Sequence, residues 1–108
     1  MIPTISLSDF IALYPEGVTL IDVREPDEYA EAHVPGAILK PLSELHHHLP
    51  EIPRDDTVYV ICRSGRRSQA GAEEMIAVGV NAISVDDGTL GWIRAGQDVV
   101  TGNSPTGD

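Results

Sequence analysis

The chain is poor in cysteine, in basic residues and in long apolar runs, and each shortage removes a class of protein. Its 108 residues hold one cysteine, Cys62. A lone thiol closes no internal disulfide, and without a CxxC pair or a Cys/His ladder there is no ligand set for zinc or an iron–sulfur cluster. That thiol is either inert packing or a working group. Lys and Arg number 7 against 17 Asp and Glu, a formal net charge of -10. Such a field repels phosphate backbones and anionic membranes at long range, which argues against nucleic-acid and membrane partners. No stretch approaches the roughly 18 to 20 apolar residues that span a bilayer. The opening MIPTISLSDF also lacks the basic start and apolar run of a secretory signal, so the chain reads as soluble and cytoplasmic.

What is present suits one small domain. With 42% apolar residues, the length allows a single core over residues 1–100. TGNSPTGD, from Thr101 to Asp108, reads as a flexible tail. Ser8 and Asp9 are candidate caps for a helix over Phe10 to Tyr14, stopped by Pro15-Glu16-Gly17. VTLIDV (18 to 23) and TVYVI (57 to 61) are β-rich apolar runs, with shorter strands expected near 37–39 and 82–85. Between them, Pro26 opens a short helix over Asp27 to Ala32, Ser43 is a candidate cap for one reaching Leu49, and another carries Trp92 between Leu90 and Ala95. Ala72, Met75, Ile76, Gly79 and Val80 fall at i, i+3, i+4, i+7 and i+8, the face of a buried helix. Alternation at this spacing predicts an α/β fold: a small, mostly parallel sheet of about five strands with helices on both faces. Ligands of such sheets sit beyond the carboxyl ends of the strands, where both Asp22-Val23-Arg24 and Cys62 fall.

The scarce basic residues are concentrated at that end. CRSGRRS (62 to 68) sets Arg63, Arg66 and Arg67 beside the thiol, the only cationic cluster in an acidic chain. A strand that stops at a cysteine, turns through Gly65 and begins a helix near Ser68 points a ring of backbone N–H groups at the sulfur. Amides, helix dipole and guanidinium groups together lower a cysteine pKa from ~8.5 toward roughly 3.5 to 7.5. A thiolate formed without a general base suits attack on phosphorus or on a sulfane sulfur. Composition alone leaves both open.

LIDVREPDEYAEAHVPGA (20 to 37), VYVICRSGRRS (58 to 68) and DDGTLGWIRAG (86 to 96) resemble, in order and spacing, the signatures of the rhodanese family of single-domain sulfurtransferases. The resemblance implies that Cys62 is the nucleophile and persulfide carrier. Arg63, Ser64, Gly65, Arg66, Arg67 and Ser68 would supply the cradle and substrate contacts, with Asp22 and Arg24 bracing the loop. It further implies a small anionic sulfur donor such as thiosulfate, a thiol or cyanide acceptor, or a sulfur-relay protein as partner, and no metal or organic cofactor. Related phosphatases of this fold carry a loop one residue longer, with arginine six after the cysteine; here that position is Ser68, which favours sulfur. Two departures stand out. Ala32 replaces the usual glycine before His33, and Asp87 the first of two glycines, adding negative charge near the expected mouth.

Other clusters have simpler readings. His46-His47-His48 invites a metal site, but neighbours on a helix point about 100° apart and do not converge on one ion, so a solvated face is expected. His33 reads as a packing or hydrogen-bonding residue. Glu25, Asp27, Glu28 and Glu31 read as a solvated acidic helix.

Overall fold

A computed structural model describes residues 2–107; Met1 and Asp108, the outer ends of the expected domain and tail, lie outside the described residues. Five parallel strands form one sheet: β1 (Thr4–Ile5), β2 (Thr19–Asp22), β3 (Ile38–Leu39), β4 (Thr57–Ile61) and β5 (Asn81–Val85), in the order β1-β5-β4-β2-β3. Helices α1 (Leu7–Leu13), α2 (Pro26–Glu31), α3 (Leu45–His48), α4 (Arg66–Ala77) and α5 (Gly88–Arg94) connect them, with single 3-10 turns between. The expected α/β sheet is therefore present and wholly parallel. β1, too short to show a pattern in sequence, supplies the edge not anticipated.

Period-two alternation sorts the side chains of the sheet. Ile21, Val58, Val60, Cys62 and Ala82 face α4 and α3, packing with Leu45, Ala72 and Met75. Leu20, Tyr59, Ile61 and Val85 face α1, α2 and α5, packing with Phe10, Tyr29 and Trp92. Both faces are covered, which is why the central strands read as continuous apolar runs.

Several boundaries differ from the sequence reading for local reasons. Ser6, not Ser8 or Asp9, caps α1: its hydroxyl accepts the Asp9 N–H at 3.1 Å. Ser43 caps nothing and donates instead to the Glu25 carboxylate. The buried stripe of α4 is Ser68, Gly71, Ala72 and Met75, while Ile76 is 39% exposed. Gly71 sets that rotation, since a Cβ there would lie 3.2 Å from Val23, so the helix presses its smallest residue onto the sheet.

Residues 101–107 of the stretch read as a tail, together with Val100 before it, are hydrogen-bonded to the body. Val100 exchanges backbone bonds with His33, Gly102 N–H donates to Ala30 O at 2.8 Å, and Gly36 N–H to Pro105 O at 2.8 Å. The physical reason lies in His33, which is fully buried and stacked on Tyr29 at 3.6 Å. Its Nδ1 meets Tyr29 O at 2.8 Å and its Nε2 meets Ser104 O at 2.9 Å, so the 100–107 segment supplies a partner the ring would otherwise lack.

Candidate active site

β2 and β4 pair in register, Asp22 beside Ile61, so their carboxyl ends deliver Asp22-Val23-Arg24 and Cys62 to one edge of the sheet. β4 ends at Ile61 because the chain must turn. Gly65, at φ 109°, adopts a backbone that side-chain-bearing residues rarely take, and α4 starts at the next residue, earlier than Ser68. The loop thereby curls its N–H groups inward. Gly65 N–H donates to Cys62 Sγ at 3.1 Å, and the Ser68 hydroxyl stands 3.4 Å from the same sulfur. Burial alone would push the thiol pKa up; the Ser68 hydroxyl and the backbone amides of Ser68, Gly65 and Ser64 outweigh it and hold the value below the ordinary one.

Of the residues predicted for the cradle, the geometry brings Ser64, Gly65 and Ser68 to the sulfur. It does not bring the guanidinium of Arg67 there. Arg67 forms a two-pronged pair with Glu28 of α2, at 2.6 and 2.8 Å. That pairing, against the opposing effect of burial, holds the Glu28 carboxyl down from 4.5 to about 2 and raises the Arg67 value. Arg63 and Arg66 are exposed and carry no ion pair among the described residues. Asp22 and Arg24 are both buried and make a forked pair, with Nη2 at 2.8 Å from Oδ2. Arg24 also donates to Ala32 O at 2.8 Å, tying the end of β2 to the end of α2. The acidic helix is thus only partly solvated: Glu28 belongs to the loop's support.

Cys62 itself is 1% exposed, more enclosed than a reachable nucleophile requires. The turn before α5 closes over it. Thr89 N–H donates to Cys62 O at 2.8 Å and Leu90 N–H to Arg63 O at 3.0 Å. Gly88 is obligatory there, because a Cβ would meet the carbonyl oxygens of Cys62 and Arg63 at 2.5 Å. Asp87, at φ 64°, is the one non-glycine residue with positive φ among the described residues, a backbone that glycine takes without strain. Beside the loop lies an open cleft of about 380 Å³ bordered by Arg24, Glu28, Glu31, Arg63, Thr89 and Leu90. A second, of about 420 Å³, borders Ser64, Asp87 and Arg94.

Sequence reasoning missed three participants. Glu28 neutralises Arg67, Thr89 contributes a buried hydroxyl with no hydrogen-bond partner at the cleft, and Ser84 of β5 stands 2.8 Å from the Ser68 hydroxyl. Of the histidine run, His48 pairs with Glu51 at 3.1 Å. Among the described residues no group of three or more His, Cys, Asp or Glu is arranged to hold a metal ion.

Comparison with known proteins sets these features in context. The putative sulfur carrier protein YrkF of Bacillus subtilis is 39% identical over 94 residues; the match covers 84% of this chain but only 51% of that protein, so the chain spans about half its length. A sulfurtransferase of Allochromatium vinosum is 33% identical over 86 residues, covering 79% of this chain and 80% of that one. Among solved structures, a rhodanese-related protein of Thermoplasma volcanium superposes with a TM-score of 0.83 at 33% identity, covering 90% of this chain and 96% of that one. The family profile described as "Rhodanese-like domain" matches residues 6–95, from the cap of α1 to the end of α5, and the chain belongs to that family.

Proposed function

We propose that the protein is a sulfurtransferase whose Cys62 alternates between thiolate and persulfide. The observation that carries this reading is the polar lining of the sulfur: the Gly65 N–H donates to it at 3.1 Å and the Ser68 hydroxyl, which accepts from the thiol, lies at 3.4 Å where it can donate to an ionised sulfur, in a loop with no carboxylate or carbonyl hydrogen-bonded to Sγ among the described residues. Relatives named as a sulfurtransferase and a sulfur carrier support it. In the first displacement the thiolate attacks the outer sulfur of a donor such as thiosulfate. The Cys62 S–S bond forms as the donor S–S bond breaks, and sulfite leaves with the electron pair. In the second, an acceptor thiolate or cyanide takes the outer sulfur and returns the Cys62 thiolate. The cradle serves both halves, because the persulfide's terminal sulfur is also an anion. No metal or organic cofactor enters the scheme. Cys62 is almost fully covered, so the donor's approach requires the loop or the turn at Asp87 to Thr89 to yield.

A second reading is a sulfur-relay module that receives its sulfur from a protein. One observation favours it: of the guanidinium groups bordering the cleft or the loop, Arg24 and Arg67 are each engaged by a carboxylate, which leaves the exposed Arg63 and Arg66 to meet a dianionic donor. Intact-mass measurement decides between them. Incubation with thiosulfate should add one sulfur to Cys62, and Cys62→Ser should add none while keeping its fold. Sulfur uptake from a cysteine desulfurase but not from thiosulfate would select the relay. Hydrolysis of an aryl phosphate without sulfur uptake from either source would overturn both.

A further inference from the structure

Ser84 lies on β5, 1% exposed and directly beside Val60 of β4 in the parallel register. Alternation along the two strands turns Ser84 and Cys62 to the same sheet face, beneath α4, where Ser68 is fully buried. The three side chains form a line: Cys62 Sγ to Ser68 Oγ at 3.4 Å, and Ser68 Oγ to Ser84 Oγ at 2.8 Å. Among the described residues the Ser84 hydroxyl has no other partner. This limits how the hydroxyl hydrogens can be arranged.

With a neutral thiol, the S–H and the two hydroxyls bring three hydrogens to two contacts, so one of them is left in the interior with no acceptor along the line: the Ser84 hydrogen when the S–H points to Ser68, or the S–H itself when the hydroxyls point toward the sulfur. With an ionised sulfur the line has one direction: Ser84 donates to Ser68, Ser68 donates to the sulfur, and every hydroxyl hydrogen is used. The thiol proton has gone to solvent and the charge on sulfur closes the chain.

We propose that Ser84 is a positioning residue for Cys62, acting through Ser68 to orient that hydroxyl toward the sulfur and favour the anionic form. The inference rests on Cys62 being the working thiol, yet its test needs no sulfur donor. The charged groups around the loop are its own Arg63, Arg66 of α4, Arg67 of α4 paired with Glu28 of α2, Asp22 at the end of β2 with Arg24, and Asp87 before α5. They are common to all the variants below and cancel in the comparison.

The test is the pH titration of the thiolate's ultraviolet absorbance in the full chain, with thermal unfolding as a check on the fold. Ser84→Ala should move the midpoint upward and lower the ionised fraction at a fixed pH below it by about three- to ten-fold. In a Ser68→Ala background, Ser84→Ala should add no further shift, because the effect passes through Ser68. Should the alanine variant fail to fold, the isosteric pair Ser84→Thr and Ser84→Val serves: the threonine should titrate as the native protein and the valine should not. An unchanged midpoint in Ser84→Ala or Ser84→Val, or an equal shift with and without Ser68, overturns the proposal. A native titration of Cys62 with no sulfur uptake would instead sink the sulfurtransferase reading and leave this one standing.

Discussion

Two buried side chains of the molecule are surrounded in opposite ways. Cys62 is met by the Gly65 amide, which donates to it at 3.1 Å, and by the Ser68 hydroxyl at 3.4 Å, itself 2.8 Å from the Ser84 hydroxyl. His33 is met by carbonyl oxygens at both ring nitrogens, from Tyr29 on one side and from Ser104 and Pro105 on the other. Amide and hydroxyl groups around a sulfur favour its negative charge, which is what the proposed nucleophile needs. A shell of fixed carbonyls uses the ring as a fastener, and that fastener holds the 100–107 segment to α2. Burial alone therefore does not mark a functional residue; the kind of partner does.

The contrast breaks first at the imidazole. His33→Phe keeps a flat ring on Tyr29 but strands the carbonyls of Tyr29 and Ser104, and should cost about 1 to 3 kcal/mol in chemical denaturation. Amide exchange at Gly102 and Gly107 should speed up, while the Cys62 titration stays in place. A shifted thiol midpoint in that variant would mean that the two shells are coupled rather than separate.

The sulfur side is sharpened by pH. Because the folded-state pKa of Cys62 is depressed, the ionised sulfur stabilises the fold above the unfolded-state value, and that contribution is lost as pH falls through the folded-state value. Between the two values, the stability of the native protein should rise with pH relative to Cys62→Ser. The thiolate absorbance should also persist to lower pH than in a free peptide of residues 58–68. The peptide carries the same three arginines, so identical titrations would assign the effect to charge and not to the folded amides.

The smallest effect concerns the cation held away from the sulfur. Glu28→Gln releases Arg67 and should lower KM for thiosulfate by about two- to five-fold, the scale of a partly exposed ion pair, with no change for a neutral donor. Arg67→Ala should act in the reverse direction on thiosulfate. The Glu28 carboxyl stays ionised until pH falls toward about 2, so these differences should be flat across the neutral range. Equal changes for charged and neutral donors would make the pair a strut rather than a filter.

Much of this was legible in the chain because it is local. The β-branched run ending at Cys62, the glycine three residues on and the apolar spacing of α4 are all contiguous, and they announce a strand, a turn and a helix. The pieces that escaped depend on distance in sequence. Ser68 and Ser84 are 16 residues apart, and Glu28 and Arg67 39 apart. Their meeting depends on the parallel register of β4 and β5 and on where α2 lands, which no window of sequence records. The attachment of residues 100–107 escaped for a related reason: a stretch of mostly small and polar residues, two of them glycine, offers backbone rather than side chains, and only the unmet needs of a distant imidazole give that backbone a role.

The turn at Asp87 and Gly88 separates two properties that usually travel together. Gly88 is fixed by the carbonyls crowded against it, whereas Asp87 needs only a left-handed backbone, which asparagine and glycine also accept. The electrostatic character of this turn can therefore be reset at a single position without redrawing the path of the chain, and on the proposed sulfurtransferase reading such a change would tune the site between charged and uncharged donors.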